Sequence, residues 1–219
     1  MQPNLHPMKK LFFLLSIVSG TFCFAQKEFQ PAGSEIIETV DGDLDGDKIP
    51  EKVIVYNTND TTDTGNIREI QILKMVNGKW TVLEKSRNAV LESKGGGMMG
   101  DPYGDTKIEK GILMISQSGG SSWKWGYTDK YRFQNGHFEL IGHSSSYGRP
   151  GDYWVDVDFN LSTGQLVYEK EVEDTTNPSN GKSQKEIYNK KGLKINLQNR
   201  NQEDQRKIVL PKTKAEIYI

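Results

Sequence analysis

The chain has 219 residues, with 28 Lys and Arg, 29 Asp and Glu, and a formal net charge of −1 at pH 7. Proteins that bind nucleic acid or an anionic membrane surface are usually strongly basic, so this balance argues against both kinds of partner. Residues 1–25 have a separate role, described next. The other 194 residues are an ordinary length for one folded domain that buries its own core.

Residues 1–25 have the pattern of a secretory signal peptide. A short basic start, Met8–Lys10, precedes the apolar run Leu11–Gly20, and Cys23 and Ala25 stand as small residues before a cleavage site. The apolar run is shorter than the ~20 residues that span a bilayer, so it predicts no transmembrane segment. We expect cleavage after Ala25 and export to the periplasm or the cell exterior.

Cys23 is the only cysteine and lies inside this predicted signal. A lipid anchor on Cys23 is disfavoured, because the residue before a lipid-modified cysteine is normally small and here it is Phe22. Cleavage after Ala25 leaves residues 26–219 without cysteine, so no disulfide stabilises the predicted domain. Its stability then has to come from the core, with a bound metal ion as an additional source.

The mature chain has the periodicity of strands, and no window has the pattern of an amphipathic helix. Asn-Gly dipeptides at 77–78 and 135–136 predict tight hairpin turns, and 162–164 predicts a third. The expected strands are 52–56, 67–76, 79–84, 112–116, 123–133, 137–141, 153–161, 165–168, 207–210 and 216–219. The sequence therefore predicts one all-β domain of antiparallel hairpins or meanders, arranged as a sandwich or as propeller-like blades.

Two segments do not fit the strand pattern. Lys94–Asp105 is rich in glycine, but it lacks the Gly-Lys-Ser/Thr ending of a phosphate-binding loop and precedes a strand, which argues against nucleotide binding. Glu171–Lys191 is polar and charged with few apolar residues, and we interpret it as a surface excursion.

An acidic loop at residues 43–51 is the most informative part of the sequence. Calcium takes six to eight oxygen ligands, and carboxylates at alternate positions of one tight loop converge on a single point. Asp43, Asp45 and Asp47 occupy the first, third and fifth positions, the carbonyl of Ile49 the seventh and Glu51 the ninth. A strand follows at once, so the loop connects strands. We expect a calcium ion there with a structural role.

This loop resembles the calcium loops of FG-GAP/VCBS-type repeats, which form the blades of integrin-like β-propellers. Their pattern, D-x-[DN]-x-D-G-x-x-D before an apolar strand, is matched by most of D-L-D-G-D-K-I-P-E before K-V-I-V-Y. Lys48 stands where the family prefers glycine, and Glu51 replaces an aspartate. The resemblance covers about 20 residues and occurs once, so it implies a calcium loop rather than a complete propeller.

More loosely, the mature chain resembles a group of small secreted proteins, found in Bacteroidota-type bacteria, whose activity is uncharacterised. The shared features are one acidic loop, a G-D-P-[YF] loop at Gly100–Tyr103 and a G-G-S-S-W-[KR]-W strand at Gly119–Trp125. This resemblance implies a fold and a location outside the cytoplasm.

Support for nucleophilic catalysis is thin. Beyond the predicted signal the only histidines are His137 and His143, which on one regular strand would point to the same face about 20 Å apart. That separation is too large for a shared metal. Ser144–Ser146 lack the glycines of a nucleophile elbow.

Paired carboxylates offer an alternative function. Asp156 and Asp158 lie on one face of a predicted strand with Trp154 beside them, a spacing near that of glycosidase carboxylates. The simpler interpretation is a solvated sheet face. Asp129 stands on an otherwise aromatic face, where it is either a desolvated carboxylate in a pocket or a residue satisfied by hydrogen bonds near a bulge.

Aromatic residues could form a binding surface for a carbohydrate or protein ligand. The candidates are Trp123, Trp125, Tyr147 and Trp154, with Tyr153 beside them. The sequence therefore favours an exported, calcium-stabilised binding module that is not an enzyme. The alternatives are a secreted glycan hydrolase and an inhibitor of a co-secreted enzyme.

Overall fold

The computed structural model describes residues 28–173, 182–200 and 206–219. The predicted signal peptide and Cys23 lie outside these residues. Within the described residues, no helix has both the length and the apolar character needed to cross a bilayer.

Two antiparallel meanders contain most of the strands. The four-stranded sheet follows chain order and consists of β1 (Glu35–Gly42), β2 (Glu51–Thr62), β3 (Gly65–Val76) and β4 (Lys79–Ser86). The seven-stranded sheet also follows chain order and consists of β5 (Tyr103–Glu109), β6 (Ile112–Gly120), β7 (Lys124–Gln134), β8 (His137–Gly148), β9 (Tyr153–Asn160), β10 (Gln165–Val172) and β11 (Lys182–Asn189). Short 3-10 turns span Gly97–Met99 and Leu197–Asn199. The predicted all-β antiparallel class is confirmed.

The hairpin turns follow from residues that tolerate a positive φ. Asn77 and Gly78 have φ values of 51° and 76°, as a type I′ turn requires, and the second Asn-Gly pair behaves alike. Lys110 and Gly111 adopt the same geometry, with φ values of 51° and 75°. Lys-Gly is a weaker turn signal than Asn-Gly, so the sequence predicts neither the turn at Lys110–Gly111 nor the strand before it, β5.

One buried cluster joins the two sheets. Val53, Val55 and Ile70 of the first sheet share it with Leu113 and Phe138 of the second. The sheets therefore pack face to face over a common core, as in a sandwich. Strand β1 also approaches β5, which brings the two sheets together along one edge.

The polar segment predicted as a surface excursion instead contains an edge strand. β11 pairs with β10 over eight residues. It is polar because it lies at the sheet edge and most of its side chains are exposed. The two strands expected at 207–210 and 216–219 form a separate two-stranded pair, β12 (Lys207–Val209) and β13 (Glu216–Tyr218).

The prediction that the two histidines share a face is wrong. The pairing of β7 with β8 shifts register between Lys130 and Tyr131, so that Ile141 has no partner residue on β7. A bulge of this kind moves every following side chain to the other face. His137 is accordingly exposed, whereas His143 is buried.

Candidate functional site

The acidic loop forms the connection between β1 and β2. Gly42 and Glu51 are paired residues at the two ends of these strands, so the loop residues 43–50 project from a hairpin. Leu44 is buried in the common core and anchors the loop. The prediction that the loop connects strands directly is confirmed.

Three carboxylates converge in this loop. One oxygen each from Asp43, Asp45 and Glu51 lies within 4.8 Å of the others. Glu51 reaches the group although it begins a strand, because its side chain turns back toward the loop and its Oε2 accepts a 2.8 Å hydrogen bond from the backbone N–H of Leu44. Like charges this close repel one another unless a cation lies among them.

The second oxygen of Glu51 carries the strongest evidence for a ligand. Glu51 is 0% exposed, and within the described residues its Oε1 is buried without a hydrogen-bond partner. Burial raises the pKa of this carboxyl group, and the charges of Asp45 and Asp47 raise it further, while the Leu44 hydrogen bond opposes the change. A buried carboxylate normally has a charged or hydrogen-bonding partner, because leaving it unpaired is costly.

Backbone N–H groups orient Asp43. Its Oδ1 accepts from Gly46 at 2.7 Å and its Oδ2 from Lys48 at 3.0 Å. Both donors are at positive φ, 86° for Gly46 and 68° for Lys48. Lys48 thus adopts a left-handed conformation that favours glycine, at a cost of about 1 kcal/mol.

Asp47 lies next to the group of three carboxylates but is not one of the three that could share a single ion. Its Oδ1 accepts from the Ile49 backbone N–H at 2.8 Å, and its Oδ2 lies 2.8 Å from Lys74 Nζ. Lys74 also forms an ion pair with Asp45. Hydrogen bonds from Lys74 and Ile49 lower the pKa of Asp47, and those to Asp45 and Asp47 raise the pKa of Lys74.

This donor set fits a hard divalent cation. All three converging groups are carboxylates, and calcium prefers oxygen ligands, whereas zinc and copper prefer nitrogen or sulfur. Bound calcium would satisfy Glu51 Oε1 and neutralise the repulsion among the carboxylates. Asp47 and the carbonyl of Ile49 stay predicted ligands, and Asp47 would have to exchange Lys74 for the ion.

The predicted ligand-binding aromatic residues divide between two faces of the seven-stranded sheet. Trp125 and Tyr147 are paired residues on neighbouring strands, and the Trp123 ring stacks on Tyr147 with centroids 5.2 Å apart. Trp154 lies on the opposite face, beside Asp156, and packs closely against Gly148. Trp123, Trp125 and Tyr147 are therefore together, and Trp154 is separate from them.

Asp156 and Asp158 line an open groove on the outer face of the seven-stranded sheet. The groove has a volume of about 690 Å³. Both aspartates are exposed, and Asp158 accepts a 3.1 Å hydrogen bond from Ser144. Small residues form much of the floor: Gly104, Ser116, Ser118, Gly126, Thr128, Ser144 and Ser146. The predicted pairing of the two aspartates on one strand face is consistent with this arrangement.

Asp129 belongs to a buried hydrogen-bonded network. His143 Nδ1 lies 2.7 Å from Asp129, the Tyr131 hydroxyl donates to it at 3.2 Å, and Arg200 forms an ion pair with it. Burial would raise the pKa of Asp129, but the charge of Arg200 and the bond to His143 outweigh burial and lower it. The carboxylate is thus satisfied by hydrogen bonds beside a bulge. No local pattern predicts Arg200 as a partner of Asp129, because the two residues are 71 positions apart in the chain.

Comparisons with protein-family models, curated proteins and solved structures found no match to this chain.

Proposed function

We propose that this protein is an exported calcium-binding β-domain that acts by binding another molecule rather than by catalysis. The observation that carries the calcium proposal is Glu51, whose buried carboxylate has an unpartnered oxygen and lies beside Asp43 and Asp45. Export is supported by the signal-like pattern of residues 1–25.

Lys74 offers another source of positive charge, but it accounts for only part of the loop. Its ammonium group pairs with Asp45 and Asp47. Within the described residues, neither of these contacts nor any other satisfies Glu51 Oε1. A divalent ion bound by Glu51, Asp43 and Asp45 would satisfy that oxygen. We therefore favour a metal site whose negative charge Lys74 partly neutralises when calcium is removed.

Calorimetric titration of the chelator-treated protein with calcium tests this proposal. We expect one ion per chain, and we expect Asp45→Asn to weaken binding at least tenfold, because it removes a charged ligand without changing side-chain size. The matched control is Asp63→Asn, the same change at an exposed position outside the loop. Absence of calcium uptake by the wild-type protein, or equal losses in both variants, would contradict the proposal.

Replacement of Lys74 is expected to strengthen calcium binding. Lys74→Gln removes an ammonium group that competes with the ion for Asp45 and Asp47. We expect an affinity about fivefold higher, since a partly exposed ion pair contributes only modestly and its removal leaves Asp45 and Asp47 free to bind the ion. The same titration measures it, with Lys79→Gln, an exposed lysine of β4, as the control. Unchanged or weaker binding by Lys74→Gln would show that the lysine does not compete.

A glycan hydrolase is the alternative, and the groove beside Asp156 and Asp158 supports it. The general acid of a glycosidase is usually held in a partly enclosed environment, whereas both of these side chains are exposed. This exposure favours binding over catalysis. Glycan turnover by the wild-type protein that is lost in Asp156→Asn would reverse that preference.

A further inference from the structure

Three aromatic rings form a compact cluster at one end of the seven-stranded sheet, where β8 ends and β9 begins. The planes of the Trp123 and Tyr147 rings are nearly parallel, with an interplanar angle of 10°. The ring centroid of Tyr153 lies 4.9 Å from that of Trp123, and the two ring planes are tilted by 55°. Tyr147 is 43% exposed, although most large aromatic side chains of this domain are at least partly buried. We call Trp123, Tyr147 and Tyr153 the aromatic end.

Charged side chains surround the aromatic end. The Arg149 guanidinium lies 5.0 Å from the Trp123 ring centroid and pairs with Asp152 at 2.6 Å. Lys170 Nζ lies 3.8 Å from the Tyr153 centroid. The Glu173 carboxylate accepts a 2.6 Å hydrogen bond from the backbone N–H of Gly151, which lies between Arg149 and Asp152 in the chain. The two cations and two carboxylates balance, so these four groups give no net attraction to an ion of either sign.

This combination matches the chemistry of a sugar ring. A pyranose presents an apolar C–H face, which packs on an aromatic ring, and a periphery of hydroxyl groups that both donate and accept hydrogen bonds. Arg149 supplies donors and Asp152 supplies acceptors within one exposed pair. Binding sites commonly combine apolar aromatic area with a few polar groups of this kind.

We propose that the aromatic end binds a neutral glycan, with a sugar ring packed on Tyr147 and its hydroxyl groups bonded to Arg149 and Asp152. The balanced charge of the surrounding side chains selects a neutral saccharide over a polyuronate. This inference rests on the binding role proposed above. It does not depend on the calcium loop, which lies on a different hairpin.

The test uses four neutral hexasaccharides, namely cellohexaose, maltohexaose, xylohexaose and mannohexaose, with hexagalacturonate as the charged counterpart. Binding to residues 26–219 is measured by tryptophan fluorescence and calorimetry. We expect at least one neutral hexasaccharide to bind more tightly than hexagalacturonate. Tyr147→Ala should weaken that binding about tenfold, as is typical for a central aromatic contact, and Tyr147→Phe should retain it.

Tyr218→Ala is the matched control, because Tyr218 is a similarly exposed tyrosine on β13. It should bind like the wild-type protein, and melting curves check that all variants fold. Failure of all four neutral hexasaccharides to bind, preference for hexagalacturonate, or full affinity in Tyr147→Ala would each overturn the proposal. Each titration is done with calcium and with chelator, so failure of glycan binding is distinguished from failure of calcium binding.

Discussion

In the presence of a chelator, Glu51→Gln is expected to melt about 2–4 °C above the wild-type protein, corresponding to about 1 kcal/mol for a domain of this size. The variant replaces a buried carboxylate that has an unpartnered oxygen with a neutral amide of the same shape. The amide oxygen can still accept the hydrogen bond from Leu44, so the loop keeps its backbone contact.

In the presence of calcium, the wild-type protein should instead melt at a higher temperature than Glu51→Gln. If the dissociation constant is about a hundredth of the calcium concentration, binding stabilises the wild-type protein by about 2.7 kcal/mol. The variant gains far less, because it has lost a charged ligand. Thermal melts of both proteins in chelator and in calcium measure this crossover.

Glu109→Gln is the control for that crossover, because it makes the same change at an exposed position at the end of β5. It should melt close to the wild-type protein under both conditions. If Glu51→Gln is less stable than the wild-type protein even in chelator, Glu51 stabilises the loop without an ion, and the interpretation of its unpartnered oxygen is wrong.

The largest loss of stability is expected from Arg200→Met. The variant leaves the Asp129 carboxylate buried without its guanidinium partner, and removal of one member of a buried ion pair costs about 3–5 kcal/mol. Denaturant unfolding of the variant and the wild-type protein measures the difference. Part of the loss should return in Arg200→Met combined with Asp129→Asn, because the uncompensated charge is then gone.

Lys207→Met tests whether loss of a positive charge alone has this effect. Lys207 pairs with Glu216 on the surface, where water and salt screen an ion pair and its contribution to stability is small. Equal losses in Lys207→Met and Arg200→Met would contradict the assignment of a buried ion pair to Asp129.

Much of the fold could be predicted from local sequence patterns. Asn77-Gly78 identifies a hairpin because few residues tolerate positive φ, and buried strands such as β2 alternate or run apolar. The acidic loop was recognisable because carboxylates at alternate positions point to one place. The convergence of Asp43 and Asp45 follows from that spacing.

Other features depend on contacts between distant residues, and local patterns do not contain them. β11 is polar because it is an edge strand, so only its pairing with β10 identifies it. The bulge at Ile141 places His143 against Asp129, and Arg200 completes that network from another segment. The ion pairs of Asp45 and Asp47 likewise depend on Lys74, which β3 brings to the loop.

A crystal structure of residues 26–219 grown in millimolar calcium, with anomalous scattering to locate the ion, tests the central claim most directly. We expect one calcium ion at about 2.3–2.6 Å from oxygens of Asp43, Asp45 and Glu51. We also expect Lys74 to be displaced from Asp45. An ordered loop that holds no ion at that calcium concentration, with Lys74 still paired to Asp45, would contradict it.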